Sequence, residues 1–186
     1  MNNASVRYLI YGQIGFFVCI SIAILLAPSG LHANHGLSFY GVTWPTTVLY
    51  AIGFFLIGYF SAKATKYFAS DSVEHKVITK ILRLVPWLLF AIYVTPYSVG
   101  QWMDDIHSAF GSTLFVLELG LAIWLAFFVL RDRILKFLTI TQFAGGLVSF
   151  FSLLGFMSLL IQGQIVFQLA FGVLIIRAVA ALSEPE

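Results

Sequence analysis

The sequence predicts an all-α integral membrane protein: one polytopic domain of six transmembrane helices, with both termini on the cytoplasmic side. Three observations lead there. Of 186 residues, 60% are hydrophobic and only 10% are charged. A soluble domain carries roughly a quarter charged, so this chain has too little polar surface to cover a globule in water. Six apolar runs approach the roughly 20 residues that a helix needs to cross a bilayer. All ten Lys and Arg residues fall on one side when six helices alternate across the membrane.

The first run covers about residues 8–27. Its apolar core is too long for the h-region of a signal peptide, and "APSGLHANHG" offers no A-x-A site, so it is expected to stay as a helix. The second, 46–62, is short and should extend into a neighbouring link. The third, 81–99, contains Pro86 and Pro96. Each removes a backbone donor and crowds the carbonyl four residues back, so this helix should bend. The fourth, 109–130, holds a carboxylate, Glu118, near its middle. The fifth and sixth are 135–161 and 164–182.

Charge fixes the orientation. Arg7 precedes the first run, and Lys63, Lys66, Lys76, Lys80 and Arg83 flank the second link. Arg131, Arg133 and Lys136 lie in the fourth link, and Arg177 near the end of the last run. The opposite links, 28–45, 100–108 and 162–163, carry no Lys or Arg. The positive-inside rule then places the basic side in the cytoplasm of a multi-pass protein, with the plasma membrane as the expected site. Trp44, Tyr97 and Trp102 fall at the outer boundary and Tyr8, Tyr11 and Tyr67 at the inner one, as an interfacial aromatic belt should.

Several functions are excluded or disfavoured. A net charge of +2 without a basic run gives no nucleic-acid partner. The single cysteine, Cys19, rules out an internal disulfide and a CxxC motif. There is no G-x-S-x-G, Walker loop or H-E-x-x-H. Only His107 lies near a span, so haem is not expected, and no cofactor is assigned.

Two groups of residues invite a role. Glu118 is costly inside a bilayer and should face the bundle interior or a wet cavity. Residues 107, 111 and 118 share a helical face, which lines His107 up with Glu118 through Gly111. Gln13, Thr95, Gln142 and Gln168 are the available partners within spans. Glu118 is read as interhelical glue, as part of a proton, ion or substrate route, or as a contact for a partner subunit. The second group lies on the outer side: His32, His35, Gln101, Asp104, Asp105 and His107. Asp104 and Asp105 suit the start of a helix. With His107 they also suit a headgroup or ligand site, and His32 and His35 are weak metal candidates. No bound metal is expected. His75, between Glu74 and Lys76, reads as a solvated loop residue. Small residues, among them Gly12, Gly15, Gly53, Gly111, Ser112, Gly145, Ser149 and Ser152, mark places where helices approach, with Gly145, Ser149 and Ser152 on one contact face.

The layout, with a longer first outer loop and the H-x-x-x-G element "DIHSAFG" opening the fourth span, resembles the DUF998 and Frag1/DRAM group of six-helix membrane proteins. The loop "HGLSFYG" departs from the Ser-Asp-x-Gly element of that group. The resemblance implies a lipid-related role and assigns no chemistry. The leading expectation is a non-enzymatic protein that binds or carries a lipid or polar ligand in a pocket opening outward between spans three and four. The alternatives are a structural or assembly subunit of a larger membrane complex and a lipid-modifying enzyme using His107 with Asp104 or Asp105. Expected partners are membrane lipids, and a membrane protein or a second copy of the chain.

Overall fold

The computed structural model describes residues 4–68 and 72–183. Six long helices, α1 (Ala4–Leu26), α2 (Thr46–Ala64), α3 (Val73–Val94), α4 (Gln101–Ile123), α5 (Arg133–Leu153) and α6 (Leu160–Leu182), account for most of these residues. Among the described residues there is no strand. Six helical segments are long and apolar enough to cross a membrane.

Helix boundaries differ from the expected spans where apolar runs and helices part company. α3 begins at Val73 rather than near 81, because Ser72 caps it: the Ser72 hydroxyl accepts from the backbone N–H of His75 at 3.3 Å. His75 is therefore not a solvated loop residue. Its Nδ1 lies 2.7 Å from Ser72 Oγ, and its ring stacks on Phe68 with centroids 4.2 Å apart. The link expected over 63–80 also includes residues 69–71, which lie outside the described residues. α4 begins at Gln101, with Gly100 at its N-cap. Asp104 and Asp105 are consequently inside the helix, and the capping role read from the sequence is not theirs. Asp104 still lies in the first turn, where its charge suits the helix dipole. Beyond α4, Trp124–Val129 winds as a π-helical turn, closed by Leu130 N–H donating to Leu125 O at 2.9 Å. α5 stops at Leu153, and Gly155 takes a φ of +80° in the turn that follows. The unbroken apolar run to 161 is thus one helix, a turn and the start of another.

α1 with α2 and α5 with α6 are the closest pairings, and glycines make both possible. A Cβ at Gly12 would stand 3.2 Å from Phe60 Cβ, and one at Gly53 3.2 Å from Cys19 Cβ. At the second pair a Cβ at Gly145 would stand 2.7 Å from Phe167 N, and one at Gly163 2.5 Å from Ser149 Oγ. Gly145 and Ser149 therefore do mark a helix contact, as small residues in apolar bundles do. Ser152 serves locally, accepting from Leu159 N–H at 3.2 Å.

The basic residues are tied to one end of the bundle. Arg177 Nη2 lies 2.8 Å from Asp132 Oδ2, Arg83 donates to Thr65 Oγ1 at 3.3 Å, and Lys63 Nζ lies 4.8 Å from the Tyr8 ring centroid. Asp132 also caps α5, accepting from Ile134 N–H at 2.7 Å and Leu135 N–H at 3.0 Å. The Arg177 guanidinium, and after it the Leu135 N–H, hold the Asp132 carboxyl down at about 2. Two hydrophobic clusters stack along the bundle. The one at the basic end includes Leu9, Leu82, Leu121, Leu125, Leu174 and Ile175. The other, at the far end, includes Phe16, Ile20, Tyr50, Leu89 and Ile161, with Leu114 and Ile165 packed against it.

Candidate functional site

At the far end, the link between α1 and α2 is an ordered cap. It runs through two 3-10 turns, Pro28–His32 and Gly36–Ser38, into a short helical turn, Phe39–Val42. Leu37 N–H donates to Gln164 Oε1 at 2.7 Å, which fastens the cap to α6. His35 stacks on Tyr97 with centroids 3.8 Å apart. Tyr40, in the cap's helical turn, is fully buried.

His107 of α4 is the residue on which this cap, α3 and α4 converge. Its Nδ1 faces two carbonyl oxygens, Thr95 at 2.8 Å and Ile92 at 3.0 Å. Nδ1 must therefore carry a hydrogen and donate. In the neutral ring, Nε2 is left to accept from the Ser38 hydroxyl, 2.7 Å away. The sequence explains the vacancy that His107 fills. In a continuing helix the N–H of residue 96 would bond to the Ile92 carbonyl, but Pro96 has no N–H to give. His107 supplies a donor from another helix, at 3.0 Å, where the Thr95 hydroxyl reaches the same carbonyl only at 3.5 Å. Tyr50 of α2 lines the same cleft as Ser38 and His107.

Between His107, Ser38, Tyr50, Tyr93 and Tyr97 lies a cleft with room for about 10 Å³. That is the space of roughly one water, not of a lipid headgroup. Asp104 lies near enough for its charge to act on the Tyr97 hydroxyl. His32, Gln101 and Asp105 are exposed and join none of these hydrogen bonds. No three His, Cys, Asp or Glu side chains among the described residues are grouped so as to hold a metal ion. Ser38 and Tyr50 were not found from the sequence. Pro96 was the available signal, since it announces an orphaned carbonyl without saying what will satisfy it.

Glu118 belongs to a separate group deeper in the bundle. It is 2% exposed, and Gln168 of α6 is close enough to act on its carboxylate. The register of α4 against α5 is set by Thr139 Oγ1, which donates to Ala122 O at 3.3 Å, and by Gly146, whose Cβ would meet the Phe115 ring at 2.5 Å. Glu118 lies between Phe115 and Ala122 on α4, and Gln142 lies between Thr139 and Gly146 on α5. These spacings of three and four put both side chains on the facing stripes at one level. Gln142 is fully buried, and neither its Oε1 nor its Nε2 makes a hydrogen bond. On the α1 side, Gln13 lies against Gly172 of α6, where a Cβ would stand 2.5 Å from Gln13 Oε1. That buried oxygen also makes no hydrogen bond. Gln13, Glu118, Gln142 and Gln168 thus form a polar layer between the two hydrophobic clusters. Thr95 stands apart, its hydroxyl donating to Ala91 O at 2.7 Å. Along α4 from His107 to Glu118, the glycine on the shared face, Gly111, borders open space: nothing lies within 4 Å of where its Cβ would be.

No family model, no curated protein and no solved structure matches this chain.

Proposed function

We propose that this chain is a multi-pass membrane protein, its basic end and both termini in the cytoplasm, that serves as a structural or assembly subunit and docks a helix of another membrane protein on α4. The observation that carries this is the contrast between α4 and the other helices. Their exposed faces are bulky and apolar, as with Ile14 and Val18 on α1, Trp87 and Phe90 on α3, and Phe137 and Phe143 on α5. Such faces suit lipid. Between the exposed Trp102 and Ile123 near its ends, the exposed face of α4 instead carries Ser108, Ala109, Ser112, Thr113, Val116 and Gly120. Ser108 and Ser112, four residues apart, have the small-residue spacing that lets two helix backbones approach in a bilayer, and Gly120 lies on the same stripe beyond Val116. α4 is also the least embedded helix. Its buried residues are Glu118, Leu121 and Ala122, and none precedes Glu118.

The test uses native membranes. A photo-crosslinking side chain at Thr113, on the edge of this face, should yield an adduct with one protein species. The same probe at Phe143 should label lipid. Gly120→Leu should abolish the Thr113 adduct without lowering the melting temperature of the purified chain, because Gly120 borders open space and Leu is the better helix former. Lipid adducts alone from both positions would refute docking.

A second reading, a lipid or polar ligand held between α3 and α4 at the far end, draws on the open space beside Gly111 and on the resemblance to the Frag1/DRAM group. It requires the cleft at His107 to widen.

A further inference from the structure

The polar layer has a chemistry that docking on the α4 face does not use. Its only ionisable member is Glu118. The nearest cationic side chains along the packed helices are Lys136 on α5, six residues from Gln142, and Arg177 on α6, nine residues from Gln168. At 1.5 Å per residue these lie about 9 and 13 Å along their helices from the layer, and Arg177 is committed to Asp132. Arg83 on α3 is exposed and bonded to Thr65. His107, on α4 itself, lies about 16 Å up the helix, with both ring nitrogens occupied by the cap and the α3 carbonyls. Tyr11 on α1 is turned outward. No side chain of the described residues is placed to neutralise the carboxylate. Gln142, on the stripe of α5 that faces Glu118, has a buried amide whose Oε1 and Nε2 both make no hydrogen bond, and Gln13 Oε1, on α1 against Gly172 of α6, makes none either. A buried polar atom without a partner calls for an explanation such as a bound ion. A carboxylate with uncharged oxygen donors is the ligand chemistry of hard cations, which favour carboxylate and carbonyl oxygens.

We propose that Glu118, with the amide oxygen of Gln142, forms the core of an intramembrane site for one alkali-metal cation. One positive charge balances the one carboxylate. Gln142, on the stripe of α5 that faces Glu118, turns its amide to the ion. A proton competes for the same carboxylate, so the cation binds the deprotonated form and is displaced as the pH falls.

The experiment is a thermal melt of the purified full chain in detergent, with NaCl or KCl titrated against choline chloride at constant ionic strength. At about pH 8.5, one of the two salts should raise the melting temperature by roughly 3–6 °C at saturation, and the rise should fade toward about pH 5.5. Glu118→Gln, which keeps shape and hydrogen bonding, should abolish the rise. Gln142→Leu should move it to at least about tenfold higher salt. A rise of the same size in Glu118→Gln overturns the site, because the ions then act elsewhere. Absence of any alkali-metal effect in the natural chain also overturns it, even if the melt depends on pH. Should Glu118→Gln fail to fold, labelling of Glu118 by a hydrophobic carbodiimide, read by mass spectrometry on the natural chain, decides instead. Slowing by NaCl or KCl but not by choline supports the site, and indifference to all three overturns it.

Discussion

At the scale of single residues, His107 repairs a defect that another residue creates. Pro96 ends α3 and strips the Ile92 carbonyl of its donor, and the His107 Nδ1–H supplies one, shared with Thr95. An acceptor left without a donor costs about 1–3 kcal/mol when buried, and the half-buried setting here argues for about 1 kcal/mol. His107→Ala should destabilise the chain by that amount. In a Pro96→Ala background residue 96 regains an N–H, so His107→Ala should cost less, with a coupling of about 0.5–1 kcal/mol in a double-mutant cycle. Equal costs in both backgrounds would show that His107 acts through Ser38 alone. The same residues show what the sequence conveys at this scale. Glu118 is legible because a carboxylate in an apolar run has few excuses, and its neighbour, Gln168, stood among four candidates. Ser38 is not legible. It is one hydroxyl in a link, and only the folding of that link onto α4 brings it to His107.

At the scale of helices, glycine has opposite meanings at two positions that look alike in sequence. Gly145 is in direct contact with α6: a Cβ there would stand 2.7 Å from Phe167 N and 2.8 Å from Gly163 O. Backbone cannot move aside as a side chain can, so Gly145→Ala should push α5 and α6 apart and cost about 1–3 kcal/mol. Gly111 borders open space inside a helix, where Ala is the better helix former. Gly111→Ala should therefore stabilise, by about 0.5–1 kcal/mol. Melting temperatures of the two variants in one detergent should move in opposite directions, and parallel shifts would remove the distinction. Helix cores are legible from hydropathy, because a run of about 20 apolar residues has one stable form in lipid. Helix ends are less so. α3 extends eight residues past its apolar run through Val73, Glu74, His75 and Lys76, where only the cap at Ser72 signalled its start. The run 135–161 hides a turn because Gly155 stands between Leu154 and Phe156, with no charged residue or proline to mark the break.

For the whole molecule, the strongest regularity is the separation of charge. Six helices in sequence gather every Lys and Arg at one end, and contacts such as Arg177 with Asp132 and Arg83 with Thr65 hold several of them there. The far end has acids, imidazoles and aromatic rings without a single basic side chain to balance them. In a folded bundle this asymmetry gains little, since exposed ion pairs contribute only about 0–1 kcal/mol each. The positive-inside rule reads such an asymmetry as a topogenic signal. The consequence can be measured directly. In a Cys19→Ala background, a cysteine at Asn34 or at Asp104 should react with an impermeant thiol reagent added outside intact cells. One at Lys66, exposed at the basic end, should react only after the membrane is opened. Asn34 and Lys66 bracket α2, so each checks the other: labelling of both from outside would mean that α2 does not cross, and labelling of Lys66 alone would mean that the whole bundle is inverted. Inversion would leave the helix packing intact but move the cap and His107 to the cytoplasmic side.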